Sequence, residues 1–321
     1  MQNRFIAAYS IPAIHIGQHW DENISLFYGP AIYNPMIKPT LLDHLQCSQC
    51  AGRLAYQAEG SLFICSECGQ AVAARDQKPI YTPPPADIVP YAKLRRGPHI
   101  GTPWRRSNWR FLQEQLSRLD SRAVILDVGT GQGEFTDLFE GHNYLALDVY
   151  PYPEVDIVCD LTLVNPFKPE SFEAILLLNV LEHIYDTRAM LSTLSSLLKP
   201  GGILILAIPF MVKIHQAPID FVRYTHFALE ALGKEHGLWV EQMEGFYDPI
   251  SLLGEGIGNL KYSVLPGLSG FRHYLGRLLL LGIQALATGL QSLLGAGKAK
   301  APEQARSQAP TGYQIVYRKG P

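Results

Sequence analysis

The sequence predicts an α/β fold: a doubly wound, seven-stranded, mainly parallel sheet preceded by a small four-cysteine module. Three observations carry this. Apolar runs such as VILDV, AILLLNV and ILILAIPF are too continuous for strands with one wet face. They alternate with segments of helical period, the pattern of a sheet covered on both sides. Ahead of them, Cys47, Cys50, Cys65 and Cys68 form two C-x2-C pairs separated by fourteen residues. A chain of 321 residues with 47% hydrophobic content has room for one large core and something smaller. Its net charge of −2 excludes a general attraction to nucleic acid or anionic membrane, so any such binding is local.

Residues 1–40 hold scattered aromatics and Pro12, Pro30, Pro35 and Pro39 without a sustained period, and read as an irregular arm. They contain no long apolar core and no small-residue cleavage site, so a cytoplasmic location is expected. In the module at 41–82, with LFIC as its central strand, each C-x2-C turn offers two thiolates to one face of an ion. Together they suit a structural, tetrahedral zinc site with no open position. A disulfide pair and a redox C-x-x-C are the other readings. A reducing compartment disfavours the first, and the second needs no duplicate. Pro83, Pro84 and Pro85 read as a stiff spacer that opens a linker over 83–108. Residues 88–113 carry Lys93, Arg95, Arg96, Arg105, Arg106 and Arg110 with no Asp or Glu, interleaved with Tyr91, Trp104 and Trp109. They read either as a solvated linker entering a helix or as a phosphate-facing patch.

The large domain runs over 109–321. A helix at 109–119 precedes a strand at 123–128, and the glycine loop after it opens a short helix at 134–139. The strands NYLALDVY, VDIVCD and SFEAILLLNV follow, with Cys159 read as a buried structural thiol. A helix at 187–198 stops at LKPGG, then comes the strand ILILAIPF. Thr225 caps a helix at 226–236, which leads to WVEQMEGFY. An insert at 248–310 separates this from the last strand, GYQIVYRKG. Within the insert Leu275, Leu279, Gly282, Leu286, Leu290 and Leu293 recur at three- and four-residue steps, with Arg277, Gln284, Thr288 and Gln291 on another face. This predicts an amphipathic helix at about 271–294 rather than a membrane span. Docking on its own domain, on a second copy, or on a membrane surface are the three readings of its apolar face.

The loop DVGTGQGEF places Gly129, Gly131 and Gly133 directly after the first strand, where backbone can approach a ligand and leave amides free. No Lys follows Gly133, which argues against a phosphate-binding P-loop. Against G-x-G-x-x-G the third glycine arrives one residue early, and Glu134 would repel a pyrophosphate at a helix N-terminus. A sulfonium and ammonium ligand tolerates such a carboxylate.

The segment VILDVGTGQGEF resembles the first motif of class I S-adenosylmethionine-dependent methyltransferases, a Rossmann-like fold. The resemblance covers about 109–247 and the last strand. It implies that Asp127 lies near the methionine amino group, capping of the loop being the other reading. It implies that Asp148, fifteen residues after Gly133 at a strand end, accepts from both ribose hydroxyls. Asp160 and Leu161 match the adenine-side position, although Asp160 also suits a helix N-cap. NVLEHIYD, from Asn179, resembles the segment after the fourth strand in the type-11-like subgroup, and Asn179 is carried over as a cofactor contact. A second resemblance, over LLDHLQCSQC through Arg75 and Ile80, is to the small zinc-ribbon proteins that bind and activate methyltransferases of RNA and protein. Fused here, the ribbon is expected to be structural or regulatory.

What the resemblance implies is methyl transfer from S-adenosyl-L-methionine to an O or N acceptor, with a structural Zn2+ in the ribbon. His183, after the fourth strand, is the candidate general base, or else a structural histidine. Glu182 could orient the same loop. His215, Asp220, Arg223 and Tyr224, after the fifth strand, are expected to line the acceptor site or its lid, with loop packing as the other reading. The acceptor is undefined: a small molecule, lipid or glycan, with RNA or protein guided by the ribbon, or a non-catalytic scaffold, as alternatives. LNVLEH in place of an N-P-P-Y-like segment argues against adenine or glutamine amino-methylation.

Overall fold

The computed structural model describes residues 38–85, 97–99, 101–247, 252–253, 256–257, 265–267, 269–294 and 310–321. The arm at 1–37, most of the insert, and Tyr91, Lys93, Arg95 and Arg96 of the basic linker lie outside the described residues. The described residues supply eleven strands: β1 (Leu54–Gln57), β2 (Leu62–Cys65), β3 (Ala71–Arg75), β4 (Lys78–Ile80), β5 (Val124–Val128), β6 (Asn143–Asp148), β7 (Ile157–Val158), β8 (Phe172–Leu178), β9 (Leu198–Pro209), β10 (Leu238–Phe246) and β11 (Gly312–Lys319). The helices are α1 (Pro39–His44), α2 (Pro103–Leu116), α3 (Thr187–Leu197), α4 (His226–Glu235) and α5 (Gly270–Leu294).

All eleven strands form one sheet in the order β1-β2-β3-β4-β7-β6-β5-β8-β9-β11-β10. The seven from β7 to β10 are the expected doubly wound sheet. The pairs among β7, β6, β5, β8 and β9 are parallel, and β11 enters antiparallel between β9 and β10. The chain reverses direction across the sheet between β5 and β8. In open α/β sheets the crevice beyond the strands' carboxyl ends at such a point binds ligands.

Alternate residues of the central strands feed two cores. Leu126 and Val128 of β5 pack with Met190, Leu191 and Leu194 of α3 and Leu229 of α4. Ile125 packs on the other side with Trp109, Leu112 and Leu116 of α2. Burial on both faces is why these strands read as unbroken apolar runs. Asp186 caps α3 by accepting from Ala189 N, and Thr225 caps α4 by accepting from Ala228 N. Two expectations are corrected. The first helix begins at Pro103, capped by Thr102, inside the expected linker over 83–108. The short helix at 134–139 is a single 3-10 turn, Thr136–Phe139, because Gly141 at φ +85° already turns the chain into β6.

The cysteine module is not a separate bead behind the proline run. Its last strand pairs parallel with β7 through Ile80 and Val158, so the ribbon extends the sheet. Lys78 Nζ donates to Pro153 O at 2.6 Å, Tyr81 N to Val158 O, and Asp160 N to Thr82 Oγ1 at 2.9 Å. On the same side Leu41, Leu45, Cys47 and Leu54 join the core of Leu145, Leu147, Ile157 and Phe167. That face of β6 and β7 has no crossover helix of its own between 149 and 171, and α1 with the ribbon covers it.

Within the ribbon, Ala51 and Gly69 sit in the left-handed region at φ +58° and +74°. Each donates its N–H back to the carbonyl of the first cysteine of its pair, Cys47 or Cys65. These two tight turns bring four sulfurs together, all within 4.8 Å of one another. Cys47 Sγ is 3.6 Å from Cys68 Sγ, and Cys50 Sγ is 3.5 Å from Cys65 Sγ. A disulfide needs about 2.05 Å, whereas thiolates at about 2.3 Å from a tetrahedral ion stand about 3.8 Å apart. The four cysteines fit a metal ion.

The helix α5 exposes Phe271, Tyr274, Leu275, Leu279, Leu281 and Leu286. His273 on the same helix faces Leu265 O at 3.0 Å, so α5 touches the described turn at 265–267. No described helix is long and apolar enough to cross a membrane.

Candidate functional site

The glycine loop leaves β5 with all three glycines at positive φ: +78° at Gly129, +59° at Gly131 and +74° at Gly133. At Gly129 and Gly133 packing adds to backbone. A Cβ on Gly129 would lie 2.3 Å from Val180 Cγ2, and one on Gly133 would lie 2.7 Å from Glu154 Cγ. The contact with Val180 joins the loop to the turn that follows β8. Gly131 has open space where its Cβ would be, and its N–H donates to Asp148 Oδ2 at 2.8 Å.

Asp148 ends β6, and its Oδ1 accepts from Tyr150 N at 2.9 Å. The carboxylate is thus fixed by two amides and keeps further lone pairs for a ligand. Burial raises its pKa. Asp127, on β5, is 5% exposed and accepts from Tyr144 Oη at 2.8 Å. Burial pushes it up to about 6. The register pairs Asp127 with Ala146, so strand alternation puts Tyr144 and Asp148 on the face of Asp127. Tyr144 is a site neighbour the sequence reading missed, although this alternation could have found it.

Glu134 is not free to act on a ligand phosphate as assumed. Arg105, buried in α2, sits 3.6 Å from its carboxylate and donates to its backbone carbonyl at 2.7 Å. Arg105 also lies against the rings of Trp109 and Phe135. One of the six basic residues read as a candidate patch is therefore part of the glycine-loop scaffold. Asp160 accepts from Thr162 N and Thr162 Oγ1, closing its own turn and capping no helix, with Leu161 buried beside it. Asn179 takes a left-handed φ of +55°, and its Oδ1 accepts from Trp104 Nε1 at 2.7 Å, tying the end of β8 to α2.

Beyond β8, Glu182 and His183 lie on a 3-10 turn, Leu181–His183. Its carbonyls hold the loop after β9: Phe221 N donates to Glu182 O at 2.8 Å. His183 Nδ1 is 2.7 Å from Ile219 O, and burial lowers its pKa. Both Nε2 of His183 and Nε2 of His215 lie 3.8 Å from Glu182 Oε1. The Glu182 side chain is fully buried, and burial pushes its carboxyl up to about 8. Asp220 is engaged differently. Both its oxygens face the Arg223 guanidinium, which holds it well below the usual carboxylate range, and Oδ2 accepts from His215 N. Tyr224 directs its hydroxyl away, 2.7 Å from Thr187 Oγ1 at the start of α3. His183 and His215 are thus brought together on Glu182, while Asp220 and Arg223 brace the loop.

Residues 103–241 match a family model described as a methyltransferase domain. The ubiquinone biosynthesis O-methyltransferases of Xanthomonas campestris pv. campestris strains B100 and 8004 are 26% identical over 125 residues, 39% of this chain and 45% of theirs. The matched region therefore spans less than half the length of these relatives. Among solved structures, the 1,6-didemethyltoxoflavin-N1-methyltransferase of Burkholderia thailandensis is 16% identical with a TM-score of 0.42, covering 68% of this chain and 79% of that one. A SAM-dependent methyltransferase from Archaeoglobus fulgidus is 16% identical with a TM-score of 0.43, covering 67% and 94%. The family match runs from α2 through the glycine loop and the turn after β8 into β10, so residues 103–241, less than half of the chain, are similar to a methyltransferase domain.

Proposed function

We propose that the chain transfers a methyl group from S-adenosylmethionine to an oxygen or nitrogen of a small molecule, lipid or glycan. The observation that carries this is the pairing of a glycine loop at positive φ with a buried, amide-fixed carboxylate, Asp148, across the carboxyl ends of β5 and β6. Bound there, the sulfonium supplies an electrophilic methyl carbon and a neutral thioether leaving group. Asp148 would accept from the ribose diol, Asp127 would hold the ammonium, and the turn at Asp160 and Leu161 would border the adenine. The protein aligns the acceptor with the methyl group. A lone pair on the acceptor bonds to carbon as the carbon–sulfur bond breaks, and the acceptor's proton leaves toward Glu182, His183 and His215. His215, Asp220 and Arg223 form that wall, with Tyr224 bracing it from α3.

Zinc in the ribbon has a structural role in this reading, held by Cys47, Cys50, Cys65 and Cys68. The ribbon extends the β7 edge, remote in strand order from the loops after β8 and β9, and Thr82 holds the backbone of Asp160. That placement favours support of the cofactor side over guidance of a macromolecular acceptor. The engagement of Arg105 with the glycine loop points the same way.

Isothermal titration with S-adenosylmethionine should give binding that Asp148→Ala weakens at least about 100-fold, the scale for two hydrogen bonds to a charged group at about 1.5–3 kcal/mol each. Unchanged affinity removes Asp148 from the site. Protonation of Asp127 competes with an ammonium. Affinity should therefore rise about tenfold per pH unit toward pH 6 and level off above it, and Asp127→Asn should flatten that rise. Elemental analysis after dialysis against EDTA should show retained zinc, with one equivalent fewer in Cys65→Ser. Finally, cell extract incubated with radiolabelled methyl donor should place counts in the organic-soluble or small-molecule fraction. Counts in RNA or protein transfer the reading to a macromolecule, and donor binding without counts indicates a scaffold.

A further inference from the structure

We infer that Glu182, His183 and His215 form a second metal site, one that takes a first-row divalent ion with coordination positions left open toward the acceptor side. The two imidazole Nε2 atoms each stand 3.8 Å from Glu182 Oε1, and one ligand atom from each residue fits within 4.8 Å of the others. These separations are too long for hydrogen bonds. Metal–ligand bonds of about 2.0–2.2 Å place neighbouring ligand atoms about 3.3–3.6 Å apart in a tetrahedral site. The cluster is therefore a few tenths of an ångström wider than a closed site.

The atoms that would face the ion are those without another partner. Glu182 is fully buried, and both of its carboxylate oxygens lack a hydrogen-bond partner among the described residues, as does His183 Nε2. A buried unpartnered carboxylate is costly, and it is relieved by a proton or by a bound cation; the Arg223 guanidinium acts on it without forming an ion pair. The opposite ring atoms are oriented as metal-binding histidines require. His183 Nδ1 faces Ile219 O at 2.7 Å, and His215 Nδ1 lies among Asp220 Oδ2 at 3.3 Å, Lys213 O at 3.4 Å and Arg223 Nη2 at 3.4 Å, the two oxygens being able to accept its proton. A proton on each Nδ1 leaves the lone pair on each Nε2, and Asp220 is itself fixed by Arg223. The His215 side chain remains 32% exposed, so the ion has a route in. Two imidazoles and one carboxylate leave open positions on zinc, cobalt, iron or manganese. With an ion bound, the Nε2 lone pair of His183 is engaged, and an acceptor hydroxyl on the ion would lose its proton through coordination. In that state His183 would act as a ligand, whereas without the ion its Nε2 is available to accept a proton.

The role in transfer rests on the proposed methyltransferase activity, whereas the site does not. The test therefore omits donor and acceptor. Cobalt(II) is titrated into full-length protein whose ribbon already holds zinc, and the visible d–d bands are recorded. The expected result is one further equivalent with nitrogen and oxygen ligation and no thiolate charge-transfer band. His215→Ala, altered at a partly exposed position, should weaken it at least about tenfold, as loss of even outer-shell partners does. Glu182→Gln should do the same, with circular dichroism confirming that each variant is folded. Failure of the wild-type protein to take up that equivalent overturns the site, as does equal affinity in both folded variants. Either outcome leaves donor binding at Asp148 untouched.

Discussion

The parallel pairing of β4 with β7, at Ile80 and Val158, fixes more of this molecule than its single registered pair suggests. A two-residue strand has little to hold it in a sheet, and β7 is that short. The ribbon gives it a neighbour, and Tyr81 and Thr82 continue the attachment along Val158 and Asp160. The turn proposed to border the adenine is thus held by the residue at which the ribbon ends. Because the ribbon's own turns converge on four sulfurs, a metal ion held by them would act on that turn through three short strands and one hydrogen bond.

Carboxylates at the carboxyl edge of the sheet fall into two groups. Glu134 and Asp220 each have an arginine, Arg105 and Arg223. Asp127, Asp148 and Glu182 are buried, and among the described residues none forms an ion pair with Lys or Arg. Burial raises the pKa of all three. Buried acids without an ion-pair partner in one crevice are stabilised by a proton or by a cationic ligand, and Arg223 adds a weaker electrostatic pull on Glu182. Hydrogen bonding separates the three further. Asp148 is held by amides and Asp127 by a phenol, as suits groups that bind an ordered organic ligand. Among the described residues neither Glu182 oxygen has a hydrogen-bond donor, which suits a carboxylate facing the proposed metal ion.

Features encoded over short distances were legible in the sequence. The three glycines must be glycines at positive φ, and C-x2-C spacing is itself the turn geometry, so both could be read from a few neighbouring residues. Strand runs such as ILILAI were equally plain, because burial on both faces removes every polar residue. What escaped depended on contacts between distant segments. Nothing periodic marks Ile80 as a partner for Val158, and the prolines after it suggested a spacer where the chain had already joined the sheet. Arg105 looked like one charge in a basic run until α2 was seen to start at Pro103 and point it at Glu134. His183 and His215 were each visible as polar loop residues. Their convergence on Glu182 was not, because it depends on how the loop after β9 hangs from the carbonyl of Glu182.

That hanging also limits how the acceptor wall can move. Phe221 N is bonded to Glu182 O, His183 Nδ1 faces Ile219 O, and Asp220 bridges His215 to Arg223. Displacing the loop would break contacts to the turn that positions Val180 against Gly129. The glycine loop, the turn after β8 and the loop after β9 are therefore mechanically continuous. An alanine at Gly129 would push on Val180, and the push would reach Glu182 two residues later before it reached any helix. Glu182 stands where the turn after β8 and the loop after β9 are joined through the same backbone carbonyl. A cation bound there would fix both at once.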